Sequence, residues 1–172
     1  MITQFAGVEL PPNRGLRRAG VGSKNGSAMK TKLTLMLLIS AAAWAQSATG
    51  IEKAQLVKPA ALLQMLSGER LLVLQVGPRV LYAQAHVPGA EYVGAASQPE
   101  GIQALRERVQ KLPKMRLIVI YCGCCPWDRC PNVAPAYNEL KSLGFTNVKV
   151  MFVAHNIGAD WVDKGYPTEK GK

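Results

Sequence analysis

The sequence lacks several features that would assign a function directly. It contains no apolar run of the roughly 20 residues that a transmembrane helix requires, and it has no internal repeat. It also has no cysteine outside residues 122–130, where all four are found. Disulfides that join distant parts of the chain are therefore excluded, because four cysteines so close together can close only very short loops.

A concentrated basic surface is missing as well, although the 172-residue chain has a formal net charge of +10 from 21 basic and 11 acidic residues. Six of the basic residues and one of the acidic residues precede residue 46, which leaves 15 basic and ten acidic residues and a net charge of +5: Arg14, Arg17, Arg18, Lys24, Lys30, Lys32 and Glu9. The remaining basic residues are scattered along the chain. The sequence therefore predicts no nucleic-acid partner.

Residues 29–45 have the three parts of a secretory signal peptide. A basic start at Met29 is followed by an apolar segment that ends at Ser40 and by the small-x-small site Ala43-Trp44-Ala45. We expect cleavage after Ala45, a periplasmic or secreted protein, and no stable membrane span after cleavage; an uncleaved anchor is the alternative. Residues 1–28 have no periodicity and are predicted to be an unstructured extension, which would not be translated if synthesis starts at Met29.

The rest of the chain alternates between strand and helix patterns after a short lead-in at residues 46–54. Strands are predicted at residues 71–76, 91–94, 116–121 and 147–153, and helices at 58–68, 101–112, 133–143 and 157–164. This alternation predicts one α/β domain, with a central parallel sheet flanked by helices on both faces. Ligands of such sheets bind beyond the carboxyl ends of the strands.

The four cysteines lie in one predicted strand-to-helix turn, residues 121–132, with the sequence Y-C-G-C-C-P-W-D-R-C-P-N. A β-branched run precedes the turn, and Asn132 is predicted to cap the helix that follows it. A helix N-terminus and backbone N–H groups can stabilise a thiolate at such a place. Disulfides within this cluster would not connect distant parts of the chain. The cluster therefore favours a chemical role for the cysteines over a structural one.

Four motifs in the expected order resemble the rhodanese-like family of single-domain sulfurtransferases. They are A-H-V-P-G-A at residues 85–90, Tyr121-Cys122 after a strand, L-K-S-L-G-F-T-N-V at 140–148 and W-V-D-K-G-Y-P at 161–167. The resemblance implies a rhodanese-like domain at residues 55–168, with a tail at 169–172. It further implies a sulfurtransferase that moves sulfane sulfur from a donor such as thiosulfate to a thiophilic acceptor through a cysteine persulfide, without a cofactor. The expected partners are a small-molecule donor and acceptor, or a periplasmic thiol protein.

The chain also departs from the family pattern. Gln75 and Gly77 stand where family members commonly carry Asp and Arg, and Ala85 replaces the glycine before the motif histidine. In the family this histidine, here His86, has a structural role. The cysteine loop is several residues longer than the usual loop of the family.

Two alignments of this loop give different nucleophiles. Alignment on the strand end favours Cys122, which is our first choice, because strand ends are held by the core whereas loops accept insertions. Alignment on the loop favours Cys124, because residues 124–129 reproduce the family's C-x-x-x-x-R. The predicted substrate-binding loop consists of Gly123, Cys124, Cys125, Trp127, Asp128 and Arg129.

The extra cysteines have other candidate roles. Cys124, Cys125 and Cys130 are predicted to be resolving thiols or disulfide partners, with Cys124 or Cys125 bonded to Cys130. No metal site is predicted, because the C-x-C-C-x-x-x-x-C spacing is not a usual zinc pattern, although thiolates also suit copper(I). The alternative to a sulfurtransferase is a non-catalytic redox, disulfide or metal-binding module that uses the cysteine cluster.

Overall fold

A computed structural model of the chain describes residues 50–68 and 70–171. The predicted extension at residues 1–28, the signal peptide at 29–45 and the first part of the lead-in lie outside the described residues. Within the described ranges, no helix is long and apolar enough to cross a membrane.

Within the described residues, five strands form one sheet. They are β1 Leu56–Val57, β2 Leu71–Gln75, β3 Glu91–Tyr92, β4 Leu117–Tyr121 and β5 Val148–Met151. The strand order is β1-β5-β4-β2-β3, and every pairing is parallel. The predicted parallel sheet is therefore confirmed, and the strand that leads to the cysteines is its central strand.

In the described part of the chain, four α-helices connect the strands: α1 Pro59–Met65, α2 Arg79–Gln84, α3 Pro99–Val109 and α4 Val133–Ser142. Short 3₁₀ turns lie at Lys53–Gln55 and Trp127–Arg129, and the predicted last helix is a π-helical turn at Gly158–Val162. The sequence patterns did not predict α2 or β1. Six residues after Pro78 are too few to show a helical stripe, and two residues cannot show the alternation of a strand.

The two faces of the sheet carry separate cores. Along β4, Ile118 and Ile120 belong to the core that contains α3 and α4, whereas Val119 and Tyr121 belong to the core that contains α1 and the π-helical turn. Successive side chains of a strand point to opposite faces, so helices cover both faces, as predicted. Cys122, the next residue, belongs to the α3 and α4 side.

The motif histidine has the structural role predicted for it. His86 is buried, its Nδ1 lies 2.7 Å from the carbonyl oxygen of Tyr82, and the two rings stack with their centroids 3.8 Å apart. Its backbone N–H donates to the Glu169 carbonyl at 2.9 Å, and the Glu169 N–H donates to the His86 carbonyl at 3.0 Å. This antiparallel bridge ties the end of the described chain to the domain.

Substitution of Leu140 tests the packing of α4 against the core. Its side chain is completely buried, so we expect Leu140→Ala to lower the free energy of unfolding by about 2–5 kcal/mol, because it leaves a cavity. Met115→Ala is the control: Met115 is 80% exposed, and its truncation should change stability by no more than about 0.5 kcal/mol. Urea unfolding measures both, and equal losses would contradict the packing described above.

Candidate active site

The first site residue follows the central strand directly. Cys122 comes after Tyr121, the last residue of β4, and is only 2% exposed. Gly123 then turns the chain with a φ of +86°, a conformation that favours glycine. A Cβ at Gly123 would lie 3.0 Å from Ile157 Cβ, and the Ile157 N–H donates to the Gly123 carbonyl at 2.9 Å. The turn is therefore held against the segment that leads into the π-helical turn.

The four cysteine sulfurs form one cluster. Cys124 Sγ lies 3.3 Å from Cys122 Sγ, 2.7 Å from Cys125 Sγ and 3.8 Å from Cys130 Sγ. All four residues are free thiols, so the disulfide pairings stay predictions. The sulfurs of Cys122, Cys124 and Cys130 all lie within 4.8 Å of one another, an arrangement that could hold a metal ion.

Hydrogen-bond donors surround two of these sulfurs. The Cys124 backbone N–H donates to Cys122 Sγ, and Asn132 Nδ2 donates to the same sulfur at 3.3 Å. The backbone N–H groups of Asn132 and Val133, at the start of α4, donate to Cys130 Sγ. The predicted contact between a helix N-terminus and a cysteine therefore exists, and the cysteine is Cys130.

These contacts distribute the charge of the cluster unequally. A side-chain hydrogen bond with Cys122, together with the N–H groups at the start of α4, lowers the pKa of Cys130 to about 5 against the effect of burial. The same Cys122–Cys130 hydrogen bond and burial raise the pKa of Cys122. Burial, followed by hydrogen bonds to Cys124 and Cys130, raises the pKa of Cys125. These opposite shifts favour negative charge on Cys130 over Cys122.

Asn132 supports the cluster instead of capping α4. Its side chain makes no capping hydrogen bond, and its backbone is helical (φ −98°, ψ −30°) where a capping residue is typically extended. The helix begins directly after Asn132, as predicted, and the Asn132 carbonyl accepts the Ala136 N–H at 3.2 Å, but the predicted side-chain cap is absent. The Oδ1 atom accepts a hydrogen bond from the Ser97 N–H at 2.9 Å, while Nδ2 donates to Cys122 Sγ. This buried amide thus connects the segment before α3 to the cysteine at the end of β4.

Gln75 and Gly77, the two departures from the family pattern, both contact Cys122. Gln75 is 1% exposed, its Nε2 donates to the Cys122 carbonyl at 3.0 Å, and its Oε1 accepts from the Gly77 N–H at 3.4 Å. A Cβ at Gly77 would lie 2.5 Å from Cys122 Sγ. Sequence reasoning did not give either residue a place in the site. The available signal was a polar residue near the end of the otherwise apolar run at residues 71–76.

A pocket of about 400 Å³ adjoins the cluster, and Gly123 and Cys124 are the residues of the cysteine turn that line it. None of its lining residues carries a charged side chain: Leu81, Gln84, Ala85, Gly123, Cys124, Asn156, Ile157, Gly158 and Val162. The rest of the predicted substrate-binding loop lies elsewhere. Trp127 packs against the core, Cys125 lies beside Cys124, and Asp128 and Arg129 are exposed.

Substitution of Gly77 tests how tightly the chain after β2 packs against Cys122. We expect Gly77→Ala to lower the free energy of unfolding by about 1–3 kcal/mol, because the new methyl group overlaps Cys122 Sγ and the Cys122 carbonyl. The control is Gly68→Ala, at an exposed position three residues after the end of α1, where the nearest atom to a new Cβ is a backbone oxygen at 3.1 Å. Its effect should stay within about 0.5 kcal/mol. Urea unfolding gives both values, and a neutral Gly77→Ala would contradict the contact.

Comparison with known proteins agrees with this architecture. The chain resembles the crystal structure of the Alr3790 protein from Anabaena sp., with 25% identity and a TM-score of 0.52 over 67% of this chain and 82% of that chain. The solution structure of the rhodanese-like domain of the same protein gives 25% identity and a TM-score of 0.50 over 70% and 81%. The BH2092 protein from Bacillus halodurans shares the fold at 22% identity and a TM-score of 0.52 over 66% and 75%.

No curated protein matches the sequence. The family model described as "Rhodanese-like domain" matches residues 58–151, which is more than half of the chain. That match includes strands β2 to β5, helices α1 to α4 and the whole cysteine turn, while β1 lies just before it. The chain therefore belongs to the rhodanese-like domain family.

Proposed function

We propose that the domain is a rhodanese-type sulfurtransferase that moves sulfane sulfur from a donor such as thiosulfate to a thiophilic acceptor through a persulfide on Cys122. The observation that carries the proposal is the position of Cys122 directly after the central strand, at the sheet edge where such folds bind ligands. The Cys124 N–H and the Asn132 amide both donate to its sulfur. Donors of this kind compensate the charge of a buried thiolate or persulfide.

The proposed reaction consists of two displacements on sulfur. In the first, Cys122 passes its proton to a neighbouring cysteine and its sulfur attacks the outer sulfur of thiosulfate, a sulfur–sulfur bond to Cys122 forms, and sulfite leaves with the electron pair of the broken bond. In the second, an acceptor such as cyanide attacks the outer sulfur of the persulfide, leaves as thiocyanate, and restores the Cys122 thiolate. The two displacements together need no external oxidant, reductant or cofactor.

Neighbouring cysteines have distinct parts in this proposal. The Cys122 thiol donates a hydrogen bond to Cys124 Sγ at 3.3 Å, and Cys130 Sγ lies within 4.8 Å, so either neighbour can accept the Cys122 proton as Cys122 attacks the donor. The N–H groups of Asn132 and Val133 stabilise the negative charge on Cys130 before that transfer. Cys124 lines the pocket, 3.3 Å from Cys122, and is the second choice for the nucleophile.

The direct test is mass spectrometry of the reduced protein after treatment with thiosulfate and, separately, with inorganic polysulfide. We expect one added sulfur atom, on the peptide that contains Cys122, because a persulfide is the intermediate of both displacements. Cyanide should remove that sulfur as thiocyanate. Absence of added sulfur with both donors would contradict the proposal.

Substitutions identify the nucleophile. We expect Cys122→Ser to lower the rate of thiocyanate formation by at least about 10⁴-fold, because loss of a covalent nucleophile removes the pathway. Cys124→Ser should retain measurable activity. The opposite result, with full activity in Cys122→Ser and loss in Cys124→Ser, would transfer the nucleophilic role to Cys124.

A redox or disulfide module is the second candidate function, and it is favoured by the close approach of Cys124 Sγ to the Cys122 and Cys125 sulfurs. Oxidation of two such thiols would form a disulfide and remove the nucleophile. Free-thiol counting on the functional protein separates the two candidates, because the sulfurtransferase requires a free Cys122. A functional form without any free thiol would exclude it.

We further propose that the protein is exported through residues 29–45 and acts in the periplasm or outside the cell. Its partners there would be a small sulfur donor and acceptor, or a thiol protein. The support is the basic, apolar and small-residue order of that segment. N-terminal sequencing of the exported protein should begin at Gln46, and a protein that begins at Met1 would contradict export by cleavage.

A further inference from the structure

We propose that Cys122, Cys124 and Cys130 form a binding site for one copper(I) ion. Cys124 Sγ lies 3.3 Å from Cys122 Sγ and 3.8 Å from Cys130 Sγ, and all three sulfurs lie within 4.8 Å of one another. Sulfurs bound to one metal ion at about 2.3 Å are separated by roughly 4 Å. The three thiols therefore already have nearly the spacing that a single ion would require.

The fold holds these ligands at separate points. Cys122 extends the central strand β4, Cys124 follows the turn at Gly123, and Cys130 lies shortly before α4. Cys122 and Cys130 are 2% and 5% exposed and belong to the core that contains α3 and α4. Their positions are set by core packing, so the ion would not need to order a flexible loop at these two ligands.

Polar groups outside the sulfur triangle orient and stabilise it. Asn132 Nδ2 and the Cys124 N–H donate to Cys122 Sγ, while the N–H groups of Asn132 and Val133 donate to Cys130 Sγ. Three thiolates around a monovalent cation leave a net negative charge in a buried place. Hydrogen bonds to the ligand atoms offset that charge, as the outer contacts of metal sites commonly do.

The ligand set favours copper(I) over zinc. In the part of the chain that the structure describes, the group contains three cysteines and no histidine or carboxylate. Cys125 is not one of the three mutually close sulfurs, although its Sγ lies 2.7 Å from Cys124 Sγ. Structural zinc sites almost always have four ligands, whereas soft thiolates select copper(I) and three of them complete a trigonal site.

The pocket of about 400 Å³ provides a route for the ion, because Cys124 lines it. Copper at this site would occupy the sulfur of Cys122. If the proposed sulfurtransferase function is correct, the copper-loaded protein cannot form a persulfide there. Only this consequence rests on the proposed function; the copper site itself rests on the arrangement of the sulfurs.

The binding experiment is an anaerobic titration of the reduced protein with copper(I), in competition with a chromogenic copper(I) chelator. We expect one ion per chain. Cys122→Ser, Cys124→Ser and Cys130→Ser should each weaken the affinity by at least about tenfold, a loss that even outer contacts of metal sites produce. Cys125→Ser is the matched control and should keep the wild-type affinity. Unchanged binding in any of the three variants, or an equal loss in Cys125→Ser, would overturn the proposal.

X-ray absorption on the copper-loaded wild-type protein provides a test that does not depend on the folding of variants. We expect three sulfur ligands at about 2.3 Å. A two-sulfur site, or a site with nitrogen or oxygen ligands, would overturn the proposal. Persulfide formation is measured separately on copper-free protein, so that failure of sulfur transfer with intact copper binding rejects only the proposed function.

Discussion

The parallel pairing of β4 between β2 and β5 is the constraint on which the site depends. In its register Gln75 lies opposite Tyr121, so the Gln75 amide reaches the carbonyl of the next residue, Cys122. A slip by one residue would send every side chain of β4 to the other face. Cys122 would then leave the side of the sheet where Asn132 and Cys130 lie. The backbone hydrogen bonds of the sheet therefore determine which sulfurs can meet.

The cysteines act as one chemical unit because they share hydrogen bonds in a mostly buried place. Polar contacts in such surroundings are stronger than in water, and each one polarises its neighbours. A thiolate that is stabilised by N–H and amide donors can attack a sulfane sulfur, and the same thiolate can bind a soft cation. The two proposals thus draw on one physical property, the stabilisation of negative charge on the sulfurs between β4 and α4.

Most of the fold could be predicted from local patterns. The apolar runs before Gly77 and Cys122, and the helical stripe at residues 101–112, gave strands and a helix close to those observed. Short elements could not be predicted, because α2 and β1 contain too few residues to show a period. The position of Asn132 before α4 was predicted correctly, but the role of its side chain was not, because residue type does not reveal whether the backbone is extended or helical.

The sequence by itself determined the α/β class, the order of the family motifs and the concentration of thiols between a strand and a helix. These follow from periodicity and from the position of residues along the chain. Only the tertiary structure decided that Cys130 receives the N–H groups of α4, that Gln75 and Gly77 contact Cys122, and that Arg129 lies away from the pocket. The reason is physical: distances between loop side chains depend on how the loop folds back on the sheet, and residue spacing does not encode that path.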